Sequence, residues 1–212
     1  MIPQTSFYLI RHGESEANLA GKAAGGGVDS SLTQTGIEQA RALGDVIENL
    51  VIKPSQIFVS PMKRARHTAE IINTYLKLPV TIVENLEEHH VGEWEGQPWS
   101  MIGPRMKTGE APPGGETYQQ YADRVSKALT PVLSETYETP PMIVAHGGTF
   151  HSIGRMYNWK ITETKNCHLH RFTPYPEHKK FPFQVWEYNV SGIDLRECRS
   201  PYCALYNQGD VT

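Results

Sequence analysis

Phe7-Tyr8-Leu9-Ile10-Arg11-His12-Gly13-Glu14-Ser15-Glu16-Ala17-Asn18 joins an apolar run to a cation, an imidazole and a glycine. Four consecutive apolar residues of aromatic and branched type read as a short buried strand. The run stops at Arg11-His12-Gly13, so the cation and the imidazole fall at the strand's C-terminal end. That is the edge where open α/β sheets bind ligands. Gly13 lets the backbone turn sharply or approach a ligand closely. Alone, these residues read equally well as a basic strand end beside a turn, and the rest of the chain has to decide.

Working outward, Gln56–Ser60, Pro79–Val83 and Met142–Ala145 are three more short apolar runs. Helical periodicities separate them. Thr35–Glu38 fits a capping box, with Thr33 as the rival N-cap, and Ile37, Ala40, Leu43, Ile47 and Leu50 then share a face. Ser60-Pro61 reads as an N-cap followed by a first-turn proline, ahead of Ala65, Thr68, Ala69, Ile72, Tyr75 and Leu76. Thr117–Gln120 is a second capping box, with Tyr118, Tyr121, Ala122, Val125, Leu129 and Val132 as its stripe; Pro131 should kink or end that helix near Thr130. His146-Gly147-Gly148 opens a helix to about Tyr157. Residues 21–31 are a glycine-rich loop, either plain linker or a rim over the strand end. Residues 97–115 read as an irregular excursion, and 169–173 and 183–188 as edge strands. This alternation of strand and helix implies an α/β fold with a mostly parallel central sheet flanked by helices. With no repeat and no clean boundary, residues 1–212 read as a single domain.

Composition narrows the function. A chain of 212 residues with 39% hydrophobic and 20% charged content is an ordinary globular one, and a net charge of −3 gives no reason to expect nucleic acid. No stretch approaches the roughly 18 apolar residues of a membrane span, and nothing at the N-terminus resembles a signal peptide. Three cysteines, Cys167, Cys198 and Cys203, are too few for a disulfide framework and point to a reducing cytoplasm. With His168 and His170 they fit none of the common zinc spacings.

Four polar clusters stand out, three of them directly after a predicted strand: Arg11-His12-Gly13 with Asn18, Ser60-Pro61-x-x-Arg64, and His146-Gly147-Gly148. The fourth is Glu87-Glu88-His89-His90 with Gly92, Trp94 and Gly96. Parallel strands end on one edge, so these groups can meet in one crevice. Two arginines, two histidines and a nearby carboxylate suit an oxyanion with a transferable group, because the planar guanidinium matches phosphate oxygens in pairs.

In these blocks the sequence resembles the histidine phosphatase superfamily, the phosphoglycerate-mutase-like enzymes. Arg-His-Gly-Glu-Ser-Glu-Ala-Asn at 11–18 matches its signature. Leu32-Thr33-x-x-Gly36, Ser60-Pro61-x-x-Arg64-x-x-x-Thr68-Ala69, Leu86-x-Glu88-x-x-x-Gly92-x-Trp94-Glu95-Gly96, Gly114-Gly115-Glu116 and Val144-x-His146-Gly147-Gly148 follow in the family's order. The likeness covers roughly residues 5–155 and thins beyond Tyr157. It implies a three-layer sandwich and a phosphohistidine mechanism without metal or cofactor. His12 would be the nucleophile, and Arg11, Arg64 and His146 would hold the phosphate with help from Asn18. Glu88 would be the proton donor; Glu116 and the Gly147 backbone would belong to the rim. The implied partner is a small phosphomonoester, and the resemblance leaves a homodimer open.

The expected activity is hydrolysis of small phosphorylated metabolites. The alternative is mutase-type transfer, in which a second substrate molecule takes the phosphoryl group; a non-catalytic phospho-ligand binder is the third reading. His146-Gly147-Gly148 lacks the Asn that phoshoglycerate mutases usually carry two residues after this histidine, and the 97–113 excursion is short for the mutase insertion. The Gly26–Ser30 segment is similar to sugar-bisphosphatase relatives, so a sugar phosphate fits as substrate.

Overall fold

Phe7, Tyr8, Leu9 and Ile10 are all completely buried in strand β1 (Phe7–Arg11). Their alternation sends Phe7 and Leu9 into one apolar cluster and Tyr8 and Ile10 into another. A strand covered on both faces has no polar side, which explains the unbroken apolar run. The computed structural model describes residues 1–161, 164–188 and 197–200, the last four as backbone alone.

In chain order the further elements are α1 (Glu16–Leu19), α2 (Gln34–Glu48), β2 (Ile57–Val59), α3 (Lys63–Leu76), β3 (Val80–Ile82), α4 (Trp99–Lys107) and α5 (Tyr118–Ser134). They are followed by β4 (Met142–Ala145), α6 (Gly147–Met156), β5 (Leu169–Pro174), β6 (Phe183–Tyr188) and β7 (Glu197–Ser200). Among the described residues the sheet has seven strands in the order β3-β2-β4-β1-β5-β6-β7. β3, β2, β4 and β1 pair in parallel, and β5, β6 and β7 extend the sheet by antiparallel pairs. One cluster carries Ala40, Leu43 and Ile47 of α2 with Ala65, Ala69 and Ile72 of α3. The other carries Tyr121, Val125 and Leu129 of α5 with Phe150 and Ile153 of α6. The fold is the expected α/β three-layer sandwich.

Several local expectations shift. Thr33, not Thr35, caps α2, its hydroxyl accepting from the Gly36 N–H. α3 begins only at Lys63, past Ser60, whose hydroxyl receives the Met62 N–H at 3.4 Å and also meets His146. The 97–115 stretch contains α4, whose Ile102 and Met106, four residues apart, pack on Ala23, Val91 and Trp94 in a small separate core. α5 runs through Pro131 to Ser134, since burial of Val132 and Leu133 holds the turn that proline weakens. β5 and β6 lie inside the sheet rather than at its edge, each flanked by two strands. Cys203 and the side chain of Cys198 lie outside the described residues.

Candidate active site

Register places the site. Arg11 pairs with Ala145 and Val59 with Val144, so β1, β4 and β2 end at one level. The His12 N–H still bonds Ala145 O at 3.0 Å and the Ser60 N–H bonds Val144 O at 3.0 Å. His12, Ser60 and His146 therefore leave three adjacent strands side by side, and the two imidazole rings lie 5.2 Å apart, edge to face. Gly13 turns away beneath them; a Cβ there would sit 2.5 Å from Gly36 O, so only glycine lets β1 pass α2 this closely.

His12 is 3% exposed and its tautomer is set from both sides. Nδ1 donates to Gly13 O at 2.7 Å, and Nε2 accepts from Arg64 Nε at 3.1 Å. Burial, then the charges of Arg64 and Arg11, hold the imidazole well below its ordinary pKa, so it is neutral with its lone pair on Nε2. His146 is neutral for the same first reason. Its Nε2 meets the Ser60 hydroxyl at 2.7 Å, while its Nδ1 is buried without a hydrogen-bond partner.

Arg64 is 2% exposed on α3. Beyond His12, its Nη1 donates to Val28 O and its Nη2 to Gly25 O, both at 3.0 Å. The glycine-rich 21–31 loop is thus part of the site wall and not plain linker. Arg11 donates through Nη1 to Thr164 O at 2.7 Å, and its Nε is buried without a partner. Burial lowers the pKa of both arginines while Glu88 pulls them back up, and both stay charged at neutral pH.

Glu88 comes from the opposite side, on a segment without regular structure. Oε1 accepts from the Tyr121 hydroxyl at 2.8 Å and from its neighbour His89 N–H at 2.9 Å; Oε2 accepts from Gly148 N–H at 3.2 Å. Burial pushes this carboxyl up, but the His89 N–H, the charge of Arg64 and the Tyr121 and Gly148 bonds together leave it below the ordinary value. A Cβ on Gly148 would lie 2.1 Å from Glu88 Oε1, so glycine is what admits the carboxylate here. Gly147 packs against Arg11, with a built Cβ 3.5 Å from Arg11 Nε.

Of the predicted residues, the structure brings Arg11, His12, Arg64, His146, Gly147 and Glu88 together. Asn18 stands at the edge. Its Oδ1 is taken by the Ser15 N–H at 3.2 Å and by Asn166 Nδ2 at 3.4 Å, which leaves its own amide nitrogen for any anion. Glu116 pairs with Arg124 at 2.7 Å and accepts the His90 N–H at 3.1 Å. Sequence reading missed Tyr121, Arg124, Thr164 and Asn166. Arg124 ties the carbonyls of Asn85, Glu87 and Glu88 at 2.9, 3.1 and 3.0 Å. Asn166 Nδ2 donates to His12 O at 2.7 Å. Tyr121 falls in the apolar stripe of α5, and no local signal marks the others. A cleft of about 750 Å³ between β3 and α5 is lined by Arg124 and Asn85 but by none of Arg11, His12, Ser60, Arg64, Glu88 and His146. Among the described residues no group of His, Cys, Asp and Glu is arranged to hold a metal, and no helix is long and apolar enough to cross a membrane.

Known proteins resemble this chain. The chain is 36% identical over 149 residues to the uncharacterized phosphatase PhoE of Bacillus subtilis (strain 168), covering 70% of this chain and 75% of that protein. It is 30% identical over 208 residues to the 2,3-bisphosphoglycerate-dependent phosphoglycerate mutase of Cytophaga hutchinsonii (strain ATCC 33406), covering 89% and 93%. The solved structure of Bacillus stearothermophilus YhfR superposes with a TM-score of 0.71 at 25% identity, over 85% of this chain and 95% of that one. The model of the histidine phosphatase superfamily (branch 1) matches residues 7–181, and the chain that carries this strand-end cradle is a member of that family.

Proposed function

We propose that the protein is a phosphomonoesterase, one catalytic domain over residues 1–212 acting on small phosphorylated metabolites in a reducing cytoplasm through a phosphohistidine on His12. The observation that carries this is the pair of buried, unpartnered nitrogens, Arg11 Nε and His146 Nδ1, beside a neutral His12 whose lone pair is on Nε2. Burying such groups is costly unless a hydrogen-bond partner satisfies them, and the oxygens of a bound phosphate can accept from such N–H groups.

Phosphoryl transfer asks mainly for in-line positioning and for charge around the equatorial oxygens. Arg11 and Arg64 supply that charge and the neutral His146 a hydrogen-bonding nitrogen, with Asn18 and the Gly147 backbone at the rim. Arg64 Nε covers the attacking lone pair in the free protein; a phosphate oxygen takes His12's place as its acceptor and frees Nε2. Gly13 O holds the Nδ1 proton and steadies the imidazolium that forms. An alkoxide leaves poorly, so Glu88 protonates it. The phosphate's own negative charge offsets the pull of the arginines on Glu88 and lets the carboxyl take up a proton. The resulting carboxylate then draws a proton from the water that cleaves phosphohistidine.

Mutase-type transfer is the second reading, favoured by the mutase relative's coverage of 89% of this chain. Either reading needs Glu88 as the acid, and Gly148 keeps it in place, since a side chain there would displace it. Rapid quench with labelled substrate decides the first point. Acid-labile phosphate is expected on the wild type and none on His12→Ala, whose turnover should fall at least about 10³-fold. Undiminished labelling of that variant would remove His12 from its role. Conversion of 3-phosphoglycerate far outpacing phosphate release would favour the mutase.

A further inference from the structure

The two oxygens of Glu88 are held unequally. Oε1 accepts two hydrogen bonds, from the Tyr121 hydroxyl and the His89 N–H, whereas Oε2 accepts one, from Gly148 N–H. A carboxylate oxygen offers about two acceptor positions, so Oε1 is saturated and Oε2 keeps one open. Resting on the reading of Glu88 as the acid, we propose that Tyr121 is a positioning residue for it. Its hydroxyl occupies Oε1, confines the transferable proton to Oε2 and sets how readily that proton leaves.

Tyr121 is built to act in one direction. It is 2% exposed on α5, its ring stacked on His89 at 4.9 Å and 2° and lying under the Arg124 guanidinium at 4.9 Å. Burial, then the charge and hydrogen bond of Glu88, keep the phenol protonated, so it donates to the carboxylate. In the transfer, the His12 Nε2–P bond forms as the P–O bond breaks, and that bond's electron pair goes to the leaving oxygen. The Oε2–H bond breaks and its proton moves to that oxygen. Glu88 is left as a carboxylate, which the Tyr121 hydroxyl stabilises more than it stabilises the acid. Tyr121 therefore makes Glu88 a stronger acid.

The other charged or titratable groups that face Glu88 are Arg11 at the end of β1, Arg64 on α3, Tyr118 on α5, His151 on α6 and its neighbour His89. Tyr121→Phe leaves all of them in place and keeps the ring stacking, so its effect isolates the hydroxyl.

Single-turnover phosphorylation by glycerol phosphate and by p-nitrophenyl phosphate, followed across pH, tests the proposal. Losing a hydrogen bond to the carboxylate raises the Glu88 pKa. The acid form then persists to higher pH, and the alkaline limb for glycerol phosphate should move up by about one pH unit. The p-nitrophenyl phosphate limb should stay put, since that leaving group needs little protonation. An unmoved glycerol phosphate limb in Tyr121→Phe, with Glu88→Gln still losing glycerol phosphate turnover selectively, would overturn the role of Tyr121 alone. Equal loss of both substrates in Glu88→Gln would overturn the acid assignment and the role of Tyr121 with it.

Discussion

Arg11, His12, Ser60 and His146 take their positions from β1, β2 and β4, strands buried on both faces and locked in register. Glu88 sits 33 residues before Tyr121 on a segment with no helix or strand, and its position comes from bonds thrown across by α5 and α6. One side of the site is thus placed by backbone geometry and the other by side chains reaching from a neighbouring layer. A strand end cannot move without disturbing the core. The Glu88 segment can shift if a single side chain is lost, so the two sides should fail differently.

The largest expected difference comes from Arg64→Ala. Removing a donor from the transferring phosphoryl group should cost about 10²–10³-fold in kcat/KM, equally for alkyl phosphates and p-nitrophenyl phosphate. A loss that depended on the leaving group would mean that Arg64 acts through Glu88 and would erase the contrast. Arg124→Gln frees three carbonyls of the Glu88 segment and should cost roughly ten- to a hundredfold, weighted towards alkyl phosphates, because misplacing the acid matters only where a proton is needed. Equal losses on both substrates would show that the clamp serves the whole site.

Ser60→Ala probes the strand side more gently. It removes the hydroxyl that orients His146 and should lower kcat/KM about fivefold on both substrates, the worth of one hydrogen bond of about 1 kcal/mol. The smallest effect on activity, and a useful control, is His170→Leu. His170 on β5 pairs with Leu9 of β1, and burial first of all lowers its pKa to about 4. Above the unfolded value near 6.5 the residue is neutral in both states and adds no pH dependence. Between pH 6.5 and about 4 the unfolded chain gains a proton that the folded one refuses, and roughly 3 kcal/mol of stability is lost across that window. Urea denaturation at stepped pH should show a shallower acid decline for His170→Leu, with kcat at pH 7 unchanged. His12 and His146, also buried neutral, keep part of the decline in place.

The local chemistry of the chain determined a good deal by itself. Unbroken apolar runs that stop at Arg11-His12-Gly13, Ser60 and His146-Gly147-Gly148 announce buried parallel strands with polar residues at one edge. Such strands are read correctly because burial on both faces leaves no other composition open to them. Stripes at 3.6-residue spacing located α2, α3 and α5, and a capping box the start of α5, for equally local reasons. Only the tertiary structure decided what joins distant segments. Thr33 rather than Thr35 caps α2, Pro131 is absorbed within α5, and β5 enters the sheet antiparallel to β1 instead of lying at the edge. The same holds for Tyr121 and Arg124 on Glu88, for Gly25 and Val28 on Arg64, and for Thr164 on Arg11. Hydrophobic periodicity reports which face of an element is buried. It carries no information about which carbonyl, tens of residues away, a buried donor will meet, because that pairing exists only once the layers have packed.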